Sequence, residues 1–288
     1  MPQPEAVSEA LAGAIRRLET AKVPEARANA EWILAAVLKC GRGDLAVRRG
    51  SLTVRQGHHL NELLKERCRR IPLAYILGTQ NFLGLEIAVN EGVLIPRPET
   101  EELVLEAERI LKSLGRADPR VLEIGTGSGC VSVALAARNP GVMVHATDIS
   151  PAALDLAMKN AVAHHVGNRV RFLREDLFKP DAKAPRWADL VISNPPYIPS
   201  AEIDKLEPEV LKEPRLALDG GKDGLQALKA IVGEVSRHIR PGGWLVLEIG
   251  SDQGAAVMGF LEKAGLAERT LRQDLQGRDR IVAGKMIE

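Results

Sequence analysis

A tetrapeptide with a carboxamide, two prolines and an aromatic ring, Asn194-Pro195-Pro196-Tyr197, follows directly after the apolar run 188–193. That run has the length and composition of a buried parallel strand. The prolines supply no N–H groups and hold the preceding asparagine extended, so the chain must leave the sheet there. A rigid loop at the carboxyl end of a strand would present one side-chain oxygen, backbone carbonyls and one flat ring, which together suit a planar NH2 group. We interpret it as a candidate catalytic and substrate-binding loop; the alternative is a plain surface turn.

The glycine-rich run Gly125-Thr126-Gly127-Ser128-Gly129 lies where a first predicted strand turns into a first predicted helix. Glycines at this position let a ligand approach the backbone N–H groups of the turn. The spacing is G-x-G-x-G, and Cys130 stands where a dinucleotide-binding loop would carry its third glycine. This spacing argues against a pyrophosphate ligand, so a nicotinamide dehydrogenase is the least favoured interpretation.

Acidic residues follow the next two predicted strands. Asp148 is placed to accept hydrogen bonds from a ribose diol, although alone it would be no more than a helix cap ahead of Pro151. Asp176 is placed to accept from an exocyclic adenine amine, with Leu177 and Phe178 flanking the ring; as a lone acidic residue it would simply be solvated. Because the carboxyl ends of parallel strands meet at one edge of a sheet, the three loops together predict an adenosine-binding edge.

Alternating strand and helix patterns from residue 119 onward position these loops. Apolar runs predict seven strands, and helical periodicity fills most of the intervals between them. This alternation predicts an α/β fold with a doubly wound, mainly parallel sheet and right-handed crossovers. The predicted strands are 121–124, 142–146, 170–173, 188–193, 244–249, 268–272 and 280–283, and the predicted helices are 130–138, 151–165, 224–239 and 253–263.

The amino-terminal part shows a different pattern. Apolar residues recur at helical spacing in three segments, which predicts a small all-α domain, with Thr53 as the cap of the third helix. Alternation over 85–89, a turn at 90–92 and a return over 93–95 then predict a β-hairpin. A further helix is predicted from Thr100. The three helical segments are 5–20, 24–40 and 53–72.

The composition is typical of a soluble globular chain. Of 288 residues, 45% are hydrophobic and 3% aromatic, as expected for helices packed on a sheet, and the net charge is +1. Residues 1–70 carry 13 Lys and Arg against 8 Asp and Glu, whereas the remainder carries 26 against 30, so the catalytic part lacks the charge of a nucleic-acid groove. Three scattered cysteines support neither a disulfide framework nor a metal site. With no signal peptide and no apolar run near the ~20 residues that span a bilayer, we expect a cytoplasmic protein without membrane contact.

In their order along the chain, the glycine run, the acidic strand end, the Asp176-Leu177-Phe178 run and the Asn-Pro-Pro-Tyr tetrapeptide resemble a class I S-adenosylmethionine-dependent methyltransferase that acts on amino groups. Further stretches make the resemblance more particular, to the family that methylates the side-chain nitrogen of glutamine in peptide chain release factors. The similarity spans nearly the whole chain. These stretches are Ile95 to Glu101, Glu213-Pro214, Asp219 to Gly224, Glu248-Ile249-Gly250 and Gly277 to Arg280.

The resemblance implies a protein-glutamine N5-methyltransferase that uses S-adenosylmethionine and no metal, and that acts on a Gly-Gly-Gln motif in release factors of translation termination. It implies a helical substrate-recognition domain over 1–73, a hairpin linker over 74–97 and a methyltransferase domain over 98–288. We expect a monomer without direct nucleic-acid binding. The implied cofactor-binding residues are Gly125, Thr126, Gly127, Ser128, Gly129, Asp148, Asp176, Leu177 and Asn194. The implied catalytic and substrate-binding residues are Asn194, Pro195, Pro196 and Tyr197.

A carboxamide nitrogen is a poor nucleophile because its lone pair is delocalised, so the site must orient it. Acceptance of its two N–H groups by the Asn194 side chain and the Pro195 carbonyl would aim the nitrogen at a sulfonium methyl group, while Tyr197 packs on the flat amide. The same tetrapeptide would hold an adenine amine, so an adenine-N6 or other nucleic-acid amino methyltransferase is the main alternative. A non-catalytic adenosine-binding module is the second.

Two further features have open roles in the sequence. The segment 199–224, rich in proline, glycine and charge, either closes over the substrate or forms an irregular surface loop. Glu248, at the end of a predicted strand, either faces the same cleft or caps a helix.

Overall fold

The computed structural model describes residues 5–178 and 186–287. The chain divides into two compact units. The first comprises Met1–Thr79 with Glu207–Lys212, and the second comprises Gln80–Leu206 with Glu213–Glu288. A short piece of the long loop that follows the Asn-Pro-Pro-Tyr tetrapeptide therefore belongs to the first unit. The outer limits of the expected domains, residues 1 and 288, lie outside the described residues.

Helices form the first unit. Their apolar faces meet around Leu18, Ile33 and Leu34, which are fully buried, so packing rather than helix propensity stabilises them. The predicted cap at Thr53 is confirmed, because its hydroxyl accepts the Gln56 N–H at 3.2 Å. The elements are α1 (Val7–Thr20), α2 (Ala26–Leu38), a 3-10 turn (Arg42–Ala46), α3 (Val54–Cys68) and α4 (Leu73–Leu77).

Two arginines near the end of α3 hold a carboxylate from the segment Glu207–Lys212. Arg67, which is 4% exposed, donates from Nη2 to Glu209 at 2.7 Å and from Nε to Asn29 at 2.7 Å. Arg70 donates to both oxygens of the same carboxylate, each at 2.6 Å. Charge-assisted bonds of this kind are among the stronger hydrogen bonds in proteins, so this part of the loop is anchored within the first unit.

A two-stranded hairpin follows the helices. Strand β1 (Thr79–Phe82) pairs with β2 (Leu85–Ala88). The turn residues Leu83 and Gly84 have φ of +50° and +81°. Two successive residues in the left-handed region match the right-handed twist of a tight hairpin, and glycine adopts the second of these conformations without steric strain.

Of the two strands of the predicted hairpin, only the one over 85–89 forms, as β2, and its partner is the preceding β1 rather than 93–95. The turn over 90–92 forms, with the Gly92 N–H donating to the Asn90 side chain at 2.9 Å. Residues 93–95 do not return as a strand, because the Ile95 N–H donates to the carboxylate of Glu213 at 3.0 Å. A distant side chain thus supplies the partner that a neighbouring strand would have supplied.

The second unit is a seven-stranded sheet with helices on both faces. Across the sheet the order is β5-β4-β3-β6-β7-β9-β8, with β9 antiparallel to β7 and β8 and the other pairs parallel. The predicted doubly wound, mainly parallel fold is confirmed. The strands are β3 (Arg120–Ile124), β4 (Met143–Asp148), β5 (Val170–Arg174), β6 (Ala188–Ser193), β7 (Ile239–Glu248), β8 (Leu266–Gln273) and β9 (Asp279–Met286), and the helices are α5 (Pro98–Leu114), α6 (Cys130–Arg138), α7 (Pro151–Ala163), α8 (Gln226–Glu234) and α9 (Gly254–Lys263).

The start of β7 differs from the prediction. The predicted helix 224–239 stops at Glu234, and after a 3-10 turn β7 begins at Ile239, which pairs with Ala188. Ile239 is fully buried, and a buried isoleucine suits the end of a helix as well as the start of a strand, so its apolar character did not distinguish the two. The register then shifts, and Gly242 has a φ of +80°, which lets the strand continue past this irregularity.

The strand order places a reversal between β3 and β6. From β3 the chain proceeds outward to β4 and β5, and it then returns to β6 on the other side of β3. Ligands of open α/β sheets bind in the crevice outside the carboxyl ends of strands at such a switch point. The glycine run follows β3 and the Asn-Pro-Pro-Tyr tetrapeptide follows β6, so both lie at this crevice. No helix in the described part of the chain is both long and apolar enough to cross a membrane.

Candidate active site

A cavity of about 450 Å³ lies at the carboxyl ends of β3, β4, β5 and β6. Its volume falls in the roughly 300–1,000 Å³ range of small-molecule sites. Residues from all three predicted adenosine loops and from the tetrapeptide line it together. The predicted site residues in its lining are Gly125, Gly127, Asp148, Asp176, Leu177, Asn194 and Pro196.

Five predicted site residues, all within the described part of the chain, lie outside the cavity lining. Thr126 and Ser128 are buried beneath the glycine loop, with 3% and 2% exposure. Gly129 begins α6, Pro195 is buried, and Tyr197 packs against the core. Of the glycine run, therefore, only Gly125 and Gly127 line the cavity, and of the tetrapeptide only Asn194 and Pro196 do.

The glycine loop is held against the end of β4. The N–H groups of Gly125 and Thr126 both donate to the carbonyl of Thr147 at 2.9 Å. The N–H of Gly127 donates to Asp148 Oδ2 at 2.8 Å. Gly125 and Gly127 have φ of +72° and +55°, a region that other residues adopt only with strain, so glycine is required for this turn.

Asp148 has a second backbone partner, the N–H of Ser150, which donates to its Oδ1 at 2.9 Å. The carboxylate thus braces both the glycine loop and the start of α7. An ionised carboxylate offers about four lone-pair sites, so two remain for a ligand at the cavity. The two sequence interpretations of Asp148, as a ligand acceptor and as a structural residue before a helix, are therefore compatible.

Gly129 allows α6 and α7 to approach closely. A Cβ at this position would lie 2.9 Å from the Cβ and 3.1 Å from the Cα of Ala157 in α7. Its φ of +79° is also in the left-handed region. The third glycine of the run therefore serves helix packing behind the loop.

A buried carboxylate supports the loop from below. Glu123 lies in β3 with 3% exposure and accepts hydrogen bonds from the hydroxyls of Thr126, at 2.7 Å, and Ser132. Burial raises the pKa of Glu123 to about 7 despite these two hydrogen bonds, which favour the ionised form. No role was predicted for Glu123, although a charged residue inside an apolar strand is a signal that could have revealed it.

Asn160 of α7 ties the β2 strand to the same loop. Its Oδ1 accepts the Ala88 N–H at 2.9 Å, and its Nδ2 donates to the carbonyls of Ala88 at 3.0 Å and Ser128 at 2.8 Å. One buried carboxamide thus replaces a missing strand partner. This role was not predicted, because an asparagine inside a helical pattern carries no sign of a partner 72 residues away.

The loop after β5 has an unusual backbone. Leu177 has a φ of +59°, and its carbonyl accepts the Thr147 hydroxyl at 3.3 Å. Strained residues of this kind are concentrated at ligand sites. Phe178 turns away and stacks on His238, with ring centroids 4.4 Å apart and planes 13° apart, so of the two expected flanking residues only Leu177 lines the cavity.

A chain of buried hydrogen bonds holds the Asn-Pro-Pro-Tyr loop. Asn194 Nδ2 donates to Thr100 Oγ1 at 3.0 Å, and Thr100 Oγ1 donates to Glu248 Oε2 at 2.8 Å. The Tyr197 hydroxyl donates to Glu248 Oε1 at 3.3 Å. Glu248 thus neither caps a helix nor lines the cavity; it lies beneath the loop and accepts from it.

Both ionisable groups in this chain of hydrogen bonds have shifted pKa values. Burial raises the pKa of Glu248 to about 7, against the lowering effect of the Thr100 hydrogen bond and the Arg280 charge. Burial and the neighbouring Glu248 carboxylate raise the pKa of the Tyr197 phenol. The phenol therefore keeps its proton and remains a donor to Glu248.

Two family models match the chain. The model described as the PrmC N-terminal domain matches residues 9–78, and the model described as the methyltransferase small domain matches residues 104–222. A release factor glutamine methyltransferase of Geobacter sulfurreducens is 42% identical over 266 residues, which cover 92% of this chain and 91% of the relative. The chain belongs to the release factor glutamine methyltransferase family. A second member, from Cereibacter sphaeroides, is 41% identical over 97% of this chain and 98% of its own length.

Solved structures with low sequence identity share the fold of this family member. The catalytic domain of hMettl16 in complex with the MAT2A 3'UTR hairpin 6 matches with a TM-score of 0.58 and 17% identity, over 79% of this chain and 83% of that one. A methyltransferase from Pyrococcus furiosus matches with a TM-score of 0.50 and 20% identity, over 71% and 91% of the two chains. At these identities the likeness shows the methyltransferase fold alone.

In this family member, the part of the long loop that belongs to the second unit helps to form the cavity. Glu213, almost fully buried, accepts from the Ile95 N–H and pairs with Arg97. The loop residues just beyond it line the cavity together with residues before Ile95. Those lining residues are Pro214, Leu216, Ala217 and Asp219 on one side and Gly92, Val93 and Leu94 on the other.

The loop then returns beside the tetrapeptide. Gln253 donates from Nε2 to the carbonyls of Tyr197 at 2.9 Å and Gly224 at 3.1 Å, which joins the two segments. A Cβ on Gly220 would lie 2.6 Å from the Gly224 oxygen and 2.8 Å from the Tyr197 Cα. The absence of a side chain at Gly220 is therefore what allows the loop to pack against the tetrapeptide.

Proposed function

We propose that this chain transfers a methyl group from S-adenosylmethionine to the side-chain amide nitrogen of the glutamine in a Gly-Gly-Gln motif of peptide chain release factors. Membership of the family supports the reaction class. The observation that carries the proposal is that Asn194 and Pro196 line the same cavity as Gly125 and Asp148. The carboxamide and the glycine loop thus face one space that can hold cofactor and substrate side by side.

The residues around the cavity fit S-adenosylmethionine. The backbone carbonyls of Gly125 and Gly127 and the carboxylates of Asp148 and Asp176 offer acceptors at three successive strand ends, and Leu177 offers an apolar surface. We propose that these residues, with Asn194, hold the cofactor, while Thr126, Ser128 and Gly129 maintain the loop. The bound cofactor supplies a methyl group on a positively charged sulfur.

The tetrapeptide would orient the substrate amide. The Asn194 oxygen would accept one N–H and the Pro195 carbonyl the other, so that the nitrogen's face, rather than its edge, points toward the methyl group. Both acceptors also favour the positive charge that develops on nitrogen during transfer. Well-aligned reactants can lower a barrier by roughly 7–11 kcal/mol, so positioning can supply much of the rate without a general base. The methylated nitrogen would release its surplus proton to water, and S-adenosylhomocysteine would leave as the second product.

We further propose the functional division expected from the sequence. The helical part over 1–73 would recognise the release factor, the linker over 74–97 would connect it, and 98–288 would carry out methyl transfer. We propose a cytoplasmic monomer as the working form. Size-exclusion chromatography with light scattering tests the monomer, since a dimer mass would contradict it.

The Asn194→Ala variant tests the central role. We expect methyl transfer to fall by roughly 100-fold or more, as when a transition-state hydrogen-bonding group is removed, while cofactor affinity falls much less. Single-turnover transfer from labelled S-adenosylmethionine measures the first, and calorimetry measures the second. Asn168→Ala, an exposed asparagine away from the cavity, is the matched control. Equal loss of both quantities would show that Asn194 is mainly a cofactor ligand.

A second experiment, on the wild-type protein, distinguishes a release-factor substrate from a nucleic-acid substrate. The protein is incubated with labelled S-adenosylmethionine and, separately, with a release factor and with a nucleic acid, and mass spectrometry locates the added methyl group. Label on the glutamine supports the proposal. Label only on the nucleic acid would favour the amino methyltransferase alternative, and no transfer to either would favour a binding module.

A further inference from the structure

We infer that Thr100 and Glu248 are positioning residues that determine which end of the Asn194 amide faces the substrate. The inference rests on the proposed function, because it concerns the acceptor that would hold the glutamine amide. It assigns a task to two buried side chains that do not line the cavity. Neither would touch the substrate, and both would act through Asn194.

The direction of the hydrogen bonds follows from the chemistry of the groups. Above its pKa of about 7 the Glu248 carboxylate is ionised and only accepts, so the Thr100 hydroxyl then uses its single proton for Glu248. The Thr100 oxygen can then only accept from its other neighbour. The group 3.0 Å away must therefore be the NH2 end of Asn194, and the carboxamide oxygen is left as the end available to a ligand.

Burial protects the direction of these hydrogen bonds from competition by solvent. Thr100 is 3% exposed and Glu248 is fully buried, so bulk water does not compete for their hydrogen-bonding sites. Tyr197 donates to the other oxygen of Glu248, which also leaves Oε2 to Thr100. Arg280 contributes a positive charge near the carboxylate and Glu99 a negative one.

A reversed amide would be unproductive. With its NH2 end toward the cavity, Asn194 would present two donors to a substrate amide nitrogen that also carries two donors. The hydrogen bond from the substrate to the Asn194 side chain could not form, and the Pro195 carbonyl alone would not hold the substrate nitrogen in line with the methyl group. Selection of one amide orientation before substrate arrives is a form of preorganisation.

Thr100→Val and Thr100→Ser test the inference as a pair. Valine keeps the shape of threonine and removes the hydroxyl, whereas serine keeps the hydroxyl and removes the methyl group. For the valine variant we expect kcat to fall roughly 10-fold to 100-fold, the cofactor dissociation constant to stay within about twofold, and KM for the release factor to change little. Serine should recover most of the lost kcat. Equal loss in both variants, or a wild-type kcat in the valine variant, would overturn the inference.

A readout without turnover separates this inference from the proposed function. In ¹⁵N-labelled protein, the Asn194 side-chain amide should show one hydrogen-bonded, slowly exchanging proton in the wild type and in Thr100→Ser. Thr100→Val should lose that signature while its thermal unfolding remains cooperative. If the wild type shows the signature but transfers no methyl to glutamine, the proposed function fails and the positioning role stands. If the signature is absent from the wild type, the positioning role fails.

Discussion

Two buried carboxylates near the ends of sheet strands, Glu123 in β3 and Glu248 in β7, support the two loops that form the cavity. Each accepts two hydroxyl hydrogen bonds, and burial raises each pKa to about 7. Glu123 lies under the glycine loop, and Glu248 lies under the Asn-Pro-Pro-Tyr loop. The same device is thus used on the cofactor side and on the substrate side.

The two carboxylates differ in where their partners come from. The donors to Glu123 are three and nine residues away in sequence, whereas the donors to Glu248 are 51 and 148 residues away. The carboxylate under the glycine loop therefore has donors that are close in sequence, although the loop also bonds to the end of β4 and to Asn160 of α7. The substrate loop depends on α5, β6 and β7 being brought together, so it is a product of the whole sheet.

The largest effect should come from neutralising each carboxylate, in Glu123→Gln and Glu248→Gln. A carboxyl whose pKa rises from 4.5 to about 7 on folding binds more protons when folded than when unfolded between those pH values, so wild-type stability falls as pH rises through that window. Glutamine carries no charge and avoids this loss. Each variant should come closest to the wild type near pH 4, below the unfolded pKa of 4.5, and should exceed it by a few kcal/mol at pH 8, on the order of 1.4 kcal/mol per pKa unit.

Urea unfolding at pH 4, 5, 6, 7 and 8 measures this difference. A variant-to-wild-type difference that is flat with pH would contradict the raised pKa. Binding and activity assays then distinguish the cofactor side from the substrate side. Glu123→Gln should mainly weaken cofactor binding, and Glu248→Gln should mainly lower kcat. The same functional defect in both variants would remove the distinction between the cofactor side and the substrate side.

A second, smaller effect should follow from filling the two close approaches. Gly129→Ala would force a methyl group against Ala157, and Gly220→Ala would force one against Gly224 and Tyr197. Overpacking of this kind costs about 1–3 kcal/mol. We expect the first variant to lose cofactor affinity and the second to lose methyl transfer with cofactor affinity retained, as measured by calorimetry and labelled transfer.

Gly259→Ala is the matched control for these variants. A Cβ at Gly259 in α9 would meet no atom within 4 Å, and its backbone is helical. Removal of a helical glycine should stabilise the protein by about 0.5–1 kcal/mol and leave both functions alone. If Gly129→Ala and Gly220→Ala behaved like this control, close packing at these two glycines would not be needed for cofactor binding or methyl transfer.

The smallest effect should come from removing one hydroxyl donor on each side. Ser132→Ala takes a donor from Glu123 and should cost about 1 kcal/mol of unfolding free energy. Tyr197→Phe takes the 3.3 Å donor from Glu248 and should cost less, because long hydrogen bonds are weak. Chemical unfolding at pH 8 measures the loss of unfolding free energy in each variant. A larger loss for Tyr197→Phe than for Ser132→Ala would contradict the prediction.

The element types were predictable wherever periodicity was long and the breaks were marked by proline or glycine. The helix over 130–138 and the strand over 188–193 have the predicted limits. Two errors fell where the local pattern was ambiguous: residues 93–95 are apolar like a strand but bond to Glu213, and Ile239 suits a helix end as well as a strand start. Two short elements, α4 (Leu73–Leu77) and β1 (Thr79–Phe82), were not predicted.

Apolar runs ended by Gly125, Asp148 and Asn194 must end at the same side of a parallel sheet, so the loops at the ligand edge could be predicted from the sequence. Which residues of those loops line the cavity, and which lie beneath it, depends on tertiary packing. Thr100, Asn160 and Glu248 have partners 51 to 148 residues away, and such pairings depend on the strand order and helix packing that sequence spacing does not encode. Local physics sets where a strand ends, whereas the support of the loop beyond it depends on whatever the fold brings beneath.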